Sequence, residues 1–324
     1  MDAPVPVVCP RDRGELQRGP AGLTCPGDHR YPLANGIPVL LLENERPTHA
    51  ACWVSLEEAE AAAESDRVTS GAEEIDAVVQ ALVAATCGSL YRHLVGRLER
   101  YPIPELPLPP GNGGLFLEIG CNWGRWCVAA ARRGYRVVGI DPSLEAIAAA
   151  RRVARRLGVE ATYLVADARH LPFPDASFDV VFSYSVFQHF AKTEALTSFD
   201  EIGRVLRPAG LAKLQMANVY GVRSLWNQLR ERRFREPRRL FDIRYWGPGE
   251  LRGELSRRVG PTGLEVDGFF TLNAQLADLE LLPRRYRLVM RTSEALRRVS
   301  GRVPPLRYTA DSVYAVSRSA RAGG

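Results

Sequence analysis

A chain of 324 residues is long enough for one well-buried α/β domain with a smaller module beside it. Apolar residues make up 46% and charged residues 25%, the balance of a packed globular protein, which excludes a disordered or collagen-like class. No uninterrupted apolar run approaches the roughly 18–20 residues of a membrane helix, and no basic stretch followed by an apolar one opens the chain, so a cytoplasmic location is expected.

The formal net charge of +6 invites a nucleic-acid reading, but of the 43 basic residues only Lys192 and Lys213 are lysines. An arginine bias of this kind, with abundant alanine and glycine, reads at least as well as the coding habit of a GC-rich genome. Cys9, Cys25, Cys52, Cys87, Cys121 and Cys127 form no dense disulfide framework, so reduced thiols are expected.

Residues 1–46 read as a small unit of their own. VVCPRDRGEL and LTCPGDHRYPLANGIPVLL hold two Cys-Pro turns, followed by a strand-like apolar end from Ile37 to Leu42. Residues 47–70 are acidic and alanine-rich and read as a solvated connection. From Ala72 to Tyr101, Ile75, Val78, Val79, Leu82, Val83, Leu90, Leu94 and Leu98 recur at mostly helical spacing. Pro102 to Gly114, rich in proline and glycine, marks the next boundary. Residues 47–110 are thus a helical linker or lid, and 111–324 the main domain.

That domain is organised around LFLEIGCNWGRW, Leu115 to Trp126. A short apolar run ends in Gly120-Cys121-Asn122-Trp123-Gly124 and a helix-like segment follows, which is a buried strand, a tight turn and a helix N-terminus. Glycine tolerates positive φ and lets a ligand reach the backbone; Asn122 is the next residue type able to sit there. A second apolar run, Val137 to Ile140, closes on Asp141, where dinucleotide-type folds place the acid that takes ribose hydroxyls. A third, Tyr163 to Ala166, closes on Asp167. With Glu118 these acids suit a cationic cofactor having adenosine and amino-acid ends. They suit a diphosphate badly, and the three-glycine NAD fingerprint is absent.

Strands are expected at 115–119, 136–140, 161–166, 179–184, 211–217, 264–270 and 312–317, and helices near 124–133, 143–157 and 192–206. Alternation of this kind implies an α/β, Rossmann-like, doubly wound and mostly parallel seven-stranded sheet with ligands at the strands' C-terminal ends. Additions that shape an acceptor pocket are expected at about 220–260 and 271–310, with helices at 247–260 and 276–300. Tyr220 to Leu240 holds Arg223, Arg230, Arg232, Arg233, Arg235, Arg238 and Arg239, a run that reads as a solvated helix face or as a grip on a phosphate, a carboxylate or an acidic membrane surface.

Between Gly111 and Gly210, EIGCNWG, VVGIDPS, VADARHLPFPDASFDVVFS and EIGRVLRPAG fall in the order and spacing of class I S-adenosylmethionine-dependent methyltransferases, which this stretch resembles. Asn122 departs from the family's usual glycine. The resemblance implies that the last strand runs antiparallel to the rest. It also implies that Glu118, Gly120, Cys121, Asn122 and Gly124 hold the methionine end of S-adenosylmethionine. Asp141 would take the ribose hydroxyls with Pro142 near the adenine, Asp167 and Ala168 would read the adenine edge, and Ser183 would lie close to the sulfonium. His189, in SVFQHF after the fourth strand, is the candidate general base or a pocket-lining residue, and Tyr184 and Gln188 are pocket candidates. FSYSVF stands where amino-methylating nucleic-acid enzymes carry Asn/Asp-Pro-Pro-Tyr/Phe, which disfavours exocyclic base methylation by that route. The first 46 residues resemble the zinc-ribbon module of some rRNA guanine methyltransferases and of small methyltransferase activators. Asp12 replaces one expected cysteine, leaving Cys9, Asp12, Cys25 and His29 as candidate zinc ligands or as a degenerate, metal-free ribbon. A small-molecule acceptor is the leading expectation; an rRNA or tRNA base methyltransferase and a non-catalytic partner of the same fold are the alternatives.

Overall fold

The structure, a computed structural model, describes residues 5–19, 22–43, 48, 51–62, 75–231, 243–270 and 274–321. Two knuckle turns and short strands β1 (Gln17–Gly19), β2 (Gly22–Thr24), β3 (Arg30–Tyr31), β4 (Leu33–Ala34) and β5 (Ile37–Leu40) come first. Helices α1 (Ala51–Ala62) and α2 (Ala77–Thr86) precede the main alternation. That alternation runs β6 (Leu115–Ile119), α3 (Arg125–Arg132), β7 (Arg136–Asp141), α4 (Leu144–Arg156), β8 (Ala161–Ala166), β9 (Phe178–Tyr184), α5 (Lys192–Val205) and β10 (Leu206–Ala217). The chain then adds α6 (Val222–Glu231), α7 (Pro248–Arg258), β11 (Thr262–Gly268), α8 (Arg284–Ser300) and β12 (Ser312–Arg318).

The expected strands all form with ends moved by a few residues, the largest strand shift being β10, which starts at Leu206 directly after α5 and is irregular before Leu211. Two helices are shorter than expected: the one expected over 276–300 is a 3-10 turn, Leu276–Leu281, followed by α8, and the stretch expected from Ala72 to Tyr101 is α2 followed by a 3-10 turn, Ser89–Leu94. Strands β8, β7, β6, β9 and β10 lie side by side in parallel, β12 runs antiparallel to β10, and β11 runs antiparallel to β12. Every residue of β6 is buried, as a strand covered by helices on both faces requires. One face packs Leu117, Val138, Leu164 and Val181 against Phe199 of α5 and Leu255 of α7. The other packs Phe116, Val137, Val165 and Phe182 against Trp126 of α3 and Ile147 of α4.

Among the described residues the sheet has nine strands rather than the expected seven. β5 pairs in parallel with β8 through Val39 with Val165 and Leu40 with Ala166, and β4 pairs with β5. The apolar run Ile37–Leu40 is buried throughout and covers the edge of β8 that would otherwise stand unpaired. The segment expected as a solvated connection differs as well. It contains α1, which buries Cys52 and Leu56 in the same core as Ile147 of α4. Ser55 Oγ donates to the Pro142 carbonyl (2.8 Å) and accepts from Leu144 N–H (2.8 Å), so α1 is bonded to the loop after β7. Among the described residues, no helix is long and apolar enough to cross a membrane.

One buried ion pair clamps the loop between β8 and β9. Arg204 Nε and Nη2 donate to the two Glu201 oxygens (2.6 and 2.7 Å), Nη1 to the Phe173 carbonyl (2.7 Å) and Nη2 to the Leu171 carbonyl (2.9 Å). Glu201 also accepts from Leu171 N–H (2.9 Å) and from Arg13 of the N-terminal module (3.2 Å). Removing Arg204 leaves the buried Glu201 with only the exposed Arg13 as a counter-ion, and breaking a buried pair typically costs about 3 kcal/mol or more. Arg204→Met is therefore expected to lose about 3 kcal/mol in chemical denaturation. Arg204→Lys, which keeps the charge and loses the fork, should fall between it and the natural protein.

Candidate active site

The C-terminal ends of β6, β7, β8 and β9 converge on one rim, and the predicted acids stand there. The turn after β6 has Gly120 at φ 73°, Asn122 at φ 47° and Gly124 at φ 80°. A Cβ on Gly120 would come within 2.3 Å of Val186, and one on Gly124 within 2.7 Å of the Tyr163 hydroxyl. Asn122 thus occupies the left-handed place expected for it, and its Oδ1 accepts from Trp123 N–H (2.9 Å). Gly120 and Cys121 N–H both donate to the Ile140 carbonyl (2.8 and 2.9 Å), tying the turn to β7. The Cys121 thiol is buried, which pushes its pKa up to about 12 and keeps it protonated.

Asp141 ends β7 beneath this turn. Its Oδ2 accepts from Asn122 N–H (2.9 Å) and its Oδ1 from Ser143 N–H (3.0 Å). Burial raises its pKa to about 6, with those two backbone bonds pulling the other way. Glu118 is deeper, 1% exposed in β6, and its Oε2 has no hydrogen-bond partner. Burial lifts its pKa to about 8, against the opposing pull of Cys127 and the Arg125 charge. The two carboxylates differ in kind: Asp141 is held by a backbone donor on each oxygen, and Glu118 has one oxygen, Oε2, without a hydrogen-bond partner.

Asp167 and Ser183 differ from simple expectation. Asp167 accepts two-pronged donation from Arg169, with Nε at 3.1 Å from Oδ1 and Nη2 at 2.8 Å from Oδ2. Arg169 N–H and the Thr48 hydroxyl donate to it as well (2.9 and 3.4 Å). An adenine amino group would meet a carboxylate that already has a counter-ion. Ala168 follows it, buried. Ser183 is fully buried and donates its hydroxyl to the Ile119 carbonyl (3.0 Å), which makes it a clasp between β6 and β9. Pro142 gives its carbonyl to Ser55.

Beyond β9, Ser185 takes φ 64°, a strained value for a residue with a Cβ. The turn Phe187–His189 follows. Gln188 is structural: Nε2 donates to Ser185 Oγ (2.7 Å) and Oε1 accepts from Ala217 N–H (3.0 Å), joining the ends of β9 and β10. His189 is half-buried, and its carbonyl accepts from Arg244 Nη1 (2.6 Å). Tyr184 donates to Asp267 Oδ2 (3.0 Å) and accepts from Gln275 Nε2 (2.9 Å), which brings the β11–β12 addition against the rim. A cavity of about 320 Å³ opens beside this network, lined by Lys213, Glu265, Asp267, Gln275, Glu294 and Tyr314 among others.

The helical segment expected as a linker or lid is joined to the site from the side, through contacts that the sequence did not specify. Trp123 Nε1 donates to Thr86 Oγ1 (2.9 Å), docking α2 on the glycine turn. Tyr91, in the 3-10 turn after α2, donates to Asp278 Oδ2 (2.5 Å) of the β11–β12 addition. Arg125 is 4% exposed, lies over the Trp126 ring (5.4 Å to its centre) and none of its guanidinium nitrogens has a geometric hydrogen bond. Arginine directly after Gly124 was the available signal.

The N-terminal knuckles bring Cys9, Asp12, Cys25 and His29 together, with one ligand atom from each within 4.8 Å of all the others. Asp12 Oδ2 lies 3.0 Å from His29 Nδ1 and 3.3 Å from Cys25 Sγ; Nδ1 lies 3.3 Å from Cys25 Sγ and 3.5 Å from Cys9 Sγ. Zinc bonds of about 2.3 Å to sulfur and 2.0–2.1 Å to nitrogen or oxygen give tetrahedron edges of roughly 3.3–3.8 Å, which the three separations to sulfur match, while the Asp12–His29 edge is shorter. Asp12 Oδ1 accepts from Gly14 N–H (2.8 Å), which fixes the turn and leaves Oδ2 for the cluster.

Residues 116–210 match the family model described as a methyltransferase domain. The demethylmenaquinone methyltransferase of Thermus thermophilus is 38% identical over 113 residues, 35% of this chain and 46% of that protein. A ubiquinone biosynthesis O-methyltransferase of Agrobacterium fabrum is 35% identical over 102 residues, 32% of this chain and 40% of that one. The chain therefore spans less than half the length of these curated relatives. A sterol 24-C-methyltransferase of Eremothecium gossypii matches over a similar stretch, at 34% identity over 103 residues, 31% of this chain and 27% of that protein. Among solved structures, a SAM-dependent methyltransferase from Methanosarcina mazei aligns at a TM-score of 0.46 and 20% identity, covering 68% of this chain and 99% of that one. With the strand order and the glycine turn, the family match identifies the stretch from Phe116 to Gly210 as a class I S-adenosylmethionine-dependent methyltransferase domain.

Proposed function

We propose that the protein transfers the methyl group of S-adenosylmethionine to an oxygen, nitrogen or carbon atom of a small molecule. The observation that carries this reading is a buried Glu118, with one carboxylate oxygen lacking a hydrogen-bond partner, beside Asp141 under an intact glycine turn. When bound, the cofactor supplies a methyl group already activated on a sulfonium, so the protein's own work is alignment. Glu118 would face the cationic methionine end and Asp141 the ribose hydroxyls. The backbone of Gly120, Cys121, Asn122 and Gly124 would line the approach, and Ala168 would stand at the adenine. The relatives named for demethylmenaquinone, ubiquinone biosynthesis and sterol methylation support a small-molecule acceptor.

A base is needed only where the acceptor must lose a proton, and His189, half-buried in the turn after β9, is our candidate for it. For a hydroxyl acceptor, His189→Ala is expected to lower turnover at least roughly 100-fold while cofactor affinity changes less than about threefold. Equal turnover would reduce His189 to a pocket wall. The overall reading is tested by supplying methyl-labelled cofactor and the purified protein to an extract of the source cells. Label is expected in the small-molecule or lipid fraction; label in RNA would favour the ribbon as an RNA-recognition module. Tight cofactor binding with no label in any fraction would favour a non-catalytic partner.

The quartet of Cys9, Asp12, Cys25 and His29 is proposed as a structural zinc site. Val5, Val7 and Leu23 share the main core, and Val8 N–H donates to the Pro172 carbonyl (3.0 Å), so the ribbon and the catalytic domain should melt together. Elemental analysis is expected to find about one zinc per chain. Cys25→Ser should lose the metal and lower the melting temperature of the whole protein. An unchanged melting temperature in metal-free protein would leave the ribbon as a degenerate fold.

A further inference from the structure

The helix α6 is built inside out. Its inward side carries Ser224, which is buried, and Gln228, whose Nε2 donates to the carbonyls of Val219 (3.0 Å) and Ser224 (3.1 Å). Its outward side carries Val222, Leu225, Trp226 and Leu229, at the i, i+3, i+4, i+7 spacing that makes one stripe on a helix. All four are exposed, Trp226 at 64% and Leu229 at 61%. Water-facing apolar stripes of this size are uncommon on a folded surface and mark a contact.

The helix is firmly placed. The Asp311 carboxylate accepts from Arg223 N–H (2.6 Å) and Ser224 N–H (3.0 Å), capping the first turn from the start of β12. Asn218 Nδ2 donates to the Tyr308 carbonyl (2.8 Å) and its Oδ1 accepts from Tyr220 N–H (3.0 Å). Tyr220 and Tyr308, whose backbones meet at Asn218 just before the helix, are exposed aromatics as well. The patch stands at the C-terminal end of β10, on the same rim as the cofactor turn.

Charge selects the occupant. From Arg223 to Arg239 the sequence holds seven arginines against two glutamates, Glu231 and Glu236, with no lysine or aspartate. Residues 232–242 lie outside the described residues and enter here only as tethered charge. An apolar stripe with tryptophan at its centre, continuous in sequence with polybasic chain, matches the chemistry of an anionic bilayer: acyl chains for the stripe, headgroup charges for the arginines. We propose that the outer face of α6 docks on an anionic membrane surface. Docking of this kind is peripheral, requires no membrane-spanning segment, and is independent of the methyl-transfer reading because it can be measured without cofactor or acceptor.

The test is sedimentation of the full chain with vesicles of phosphatidylcholine alone or with about 30% phosphatidylglycerol. Binding to the anionic vesicles is expected, at least about tenfold weaker on neutral vesicles and at about 0.5 M salt. The combined substitution Leu225→Ser, Trp226→Ser and Leu229→Ser should cut binding by roughly tenfold or more without lowering the melting temperature, since all three side chains face water. Brominated acyl chains should quench part of the tryptophan fluorescence, and Trp226→Phe should bind but lose that quenching. Absence of binding to anionic vesicles overturns the proposal. So does a dimer that the triple substitution dissolves in a protein that ignores vesicles, which would assign the face to a second copy. Salt-sensitive RNA binding without vesicle binding overturns it too.

Discussion

Asp141→Ala is expected to weaken S-adenosylmethionine binding by roughly 100-fold while the protein remains folded. A carboxylate that accepts two ribose hydroxyls contributes about 1.5–3 kcal/mol per bond, so losing both exceeds a hundredfold change in affinity. The geometry permits this double duty. Asp141 already accepts one backbone N–H on each oxygen, and an ionised carboxylate has about four acceptor positions, which leaves one per oxygen for the sugar. The same contact to Asn122 N–H means that alanine also loosens the glycine turn, so part of the loss is a less ordered site. The pH dependence follows from the raised pKa of about 6. Below that value the acid is protonated in the empty site, and binding must expel the proton. Affinity should therefore fall more steeply as pH drops through 6, and that added steepness should vanish in Asp141→Ala, which leaves the shallower dependence carried by Glu118. Calorimetric titration showing natural affinity in the variant would remove Asp141 from the cofactor site.

How far the sequence announced all this depends on the range of the interactions. The strands β6 to β10 were legible because each is a short apolar run closing on a turn, a local signal that burial on both faces imposes. The left-handed place of Asn122 was legible for the same reason, since backbone sterics act within one residue. The pairing of β5 with β8 was not, because nothing in IPVL says whether it ends a separate ribbon or extends a distant sheet. The helix α1 was hidden by its composition. Its glutamates and alanines read as a solvated linker, and only the tertiary partners of Cys52, Leu56 and Ser55 show it docked over the β7 loop. At the site, motif spacing put Asp141 at the end of β7 and Glu118 near the end of β6 but could not distinguish their states. That Asp167 is occupied by Arg169 is a matter of side-chain reach across two residues, and that Ser183 is spent on Ile119 depends on strand neighbours 64 positions apart. The link between Tyr91 and Asp278 spans 187 positions, which no motif encodes.

Cofactor binding at pH 7 should release close to one proton, and Glu118 should be its source. In the empty protein its pKa stands near 8 because burial disfavours the charge, so the carboxyl is mostly neutral at pH 7. A bound ligand with a sulfonium and an ammonium group reverses that preference by placing positive charge beside the carboxyl. Titration calorimetry in buffers of different ionisation enthalpy reads the proton directly. The count should fall toward zero above about pH 9, where Glu118 is already ionised, and grow below about pH 6.5 as Asp141 contributes a second proton. The stability consequence has the opposite sign from that of a salt-bridged acid. A carboxyl whose folded pKa lies above its ordinary value of 4.5 contributes stability that is complete below that value and lost as pH rises through about 8. Glu118→Gln keeps the neutral shape without that loss. It should therefore raise the melting temperature of the empty protein at pH 8 and above, by an amount worth a few kcal/mol, while weakening cofactor binding and abolishing proton release. Gain in stability with loss of binding in one variant is the signature of a group held in an unfavourable state for its ligand. A Glu118→Gln protein that still released a proton at pH 7 would place the titrating group elsewhere.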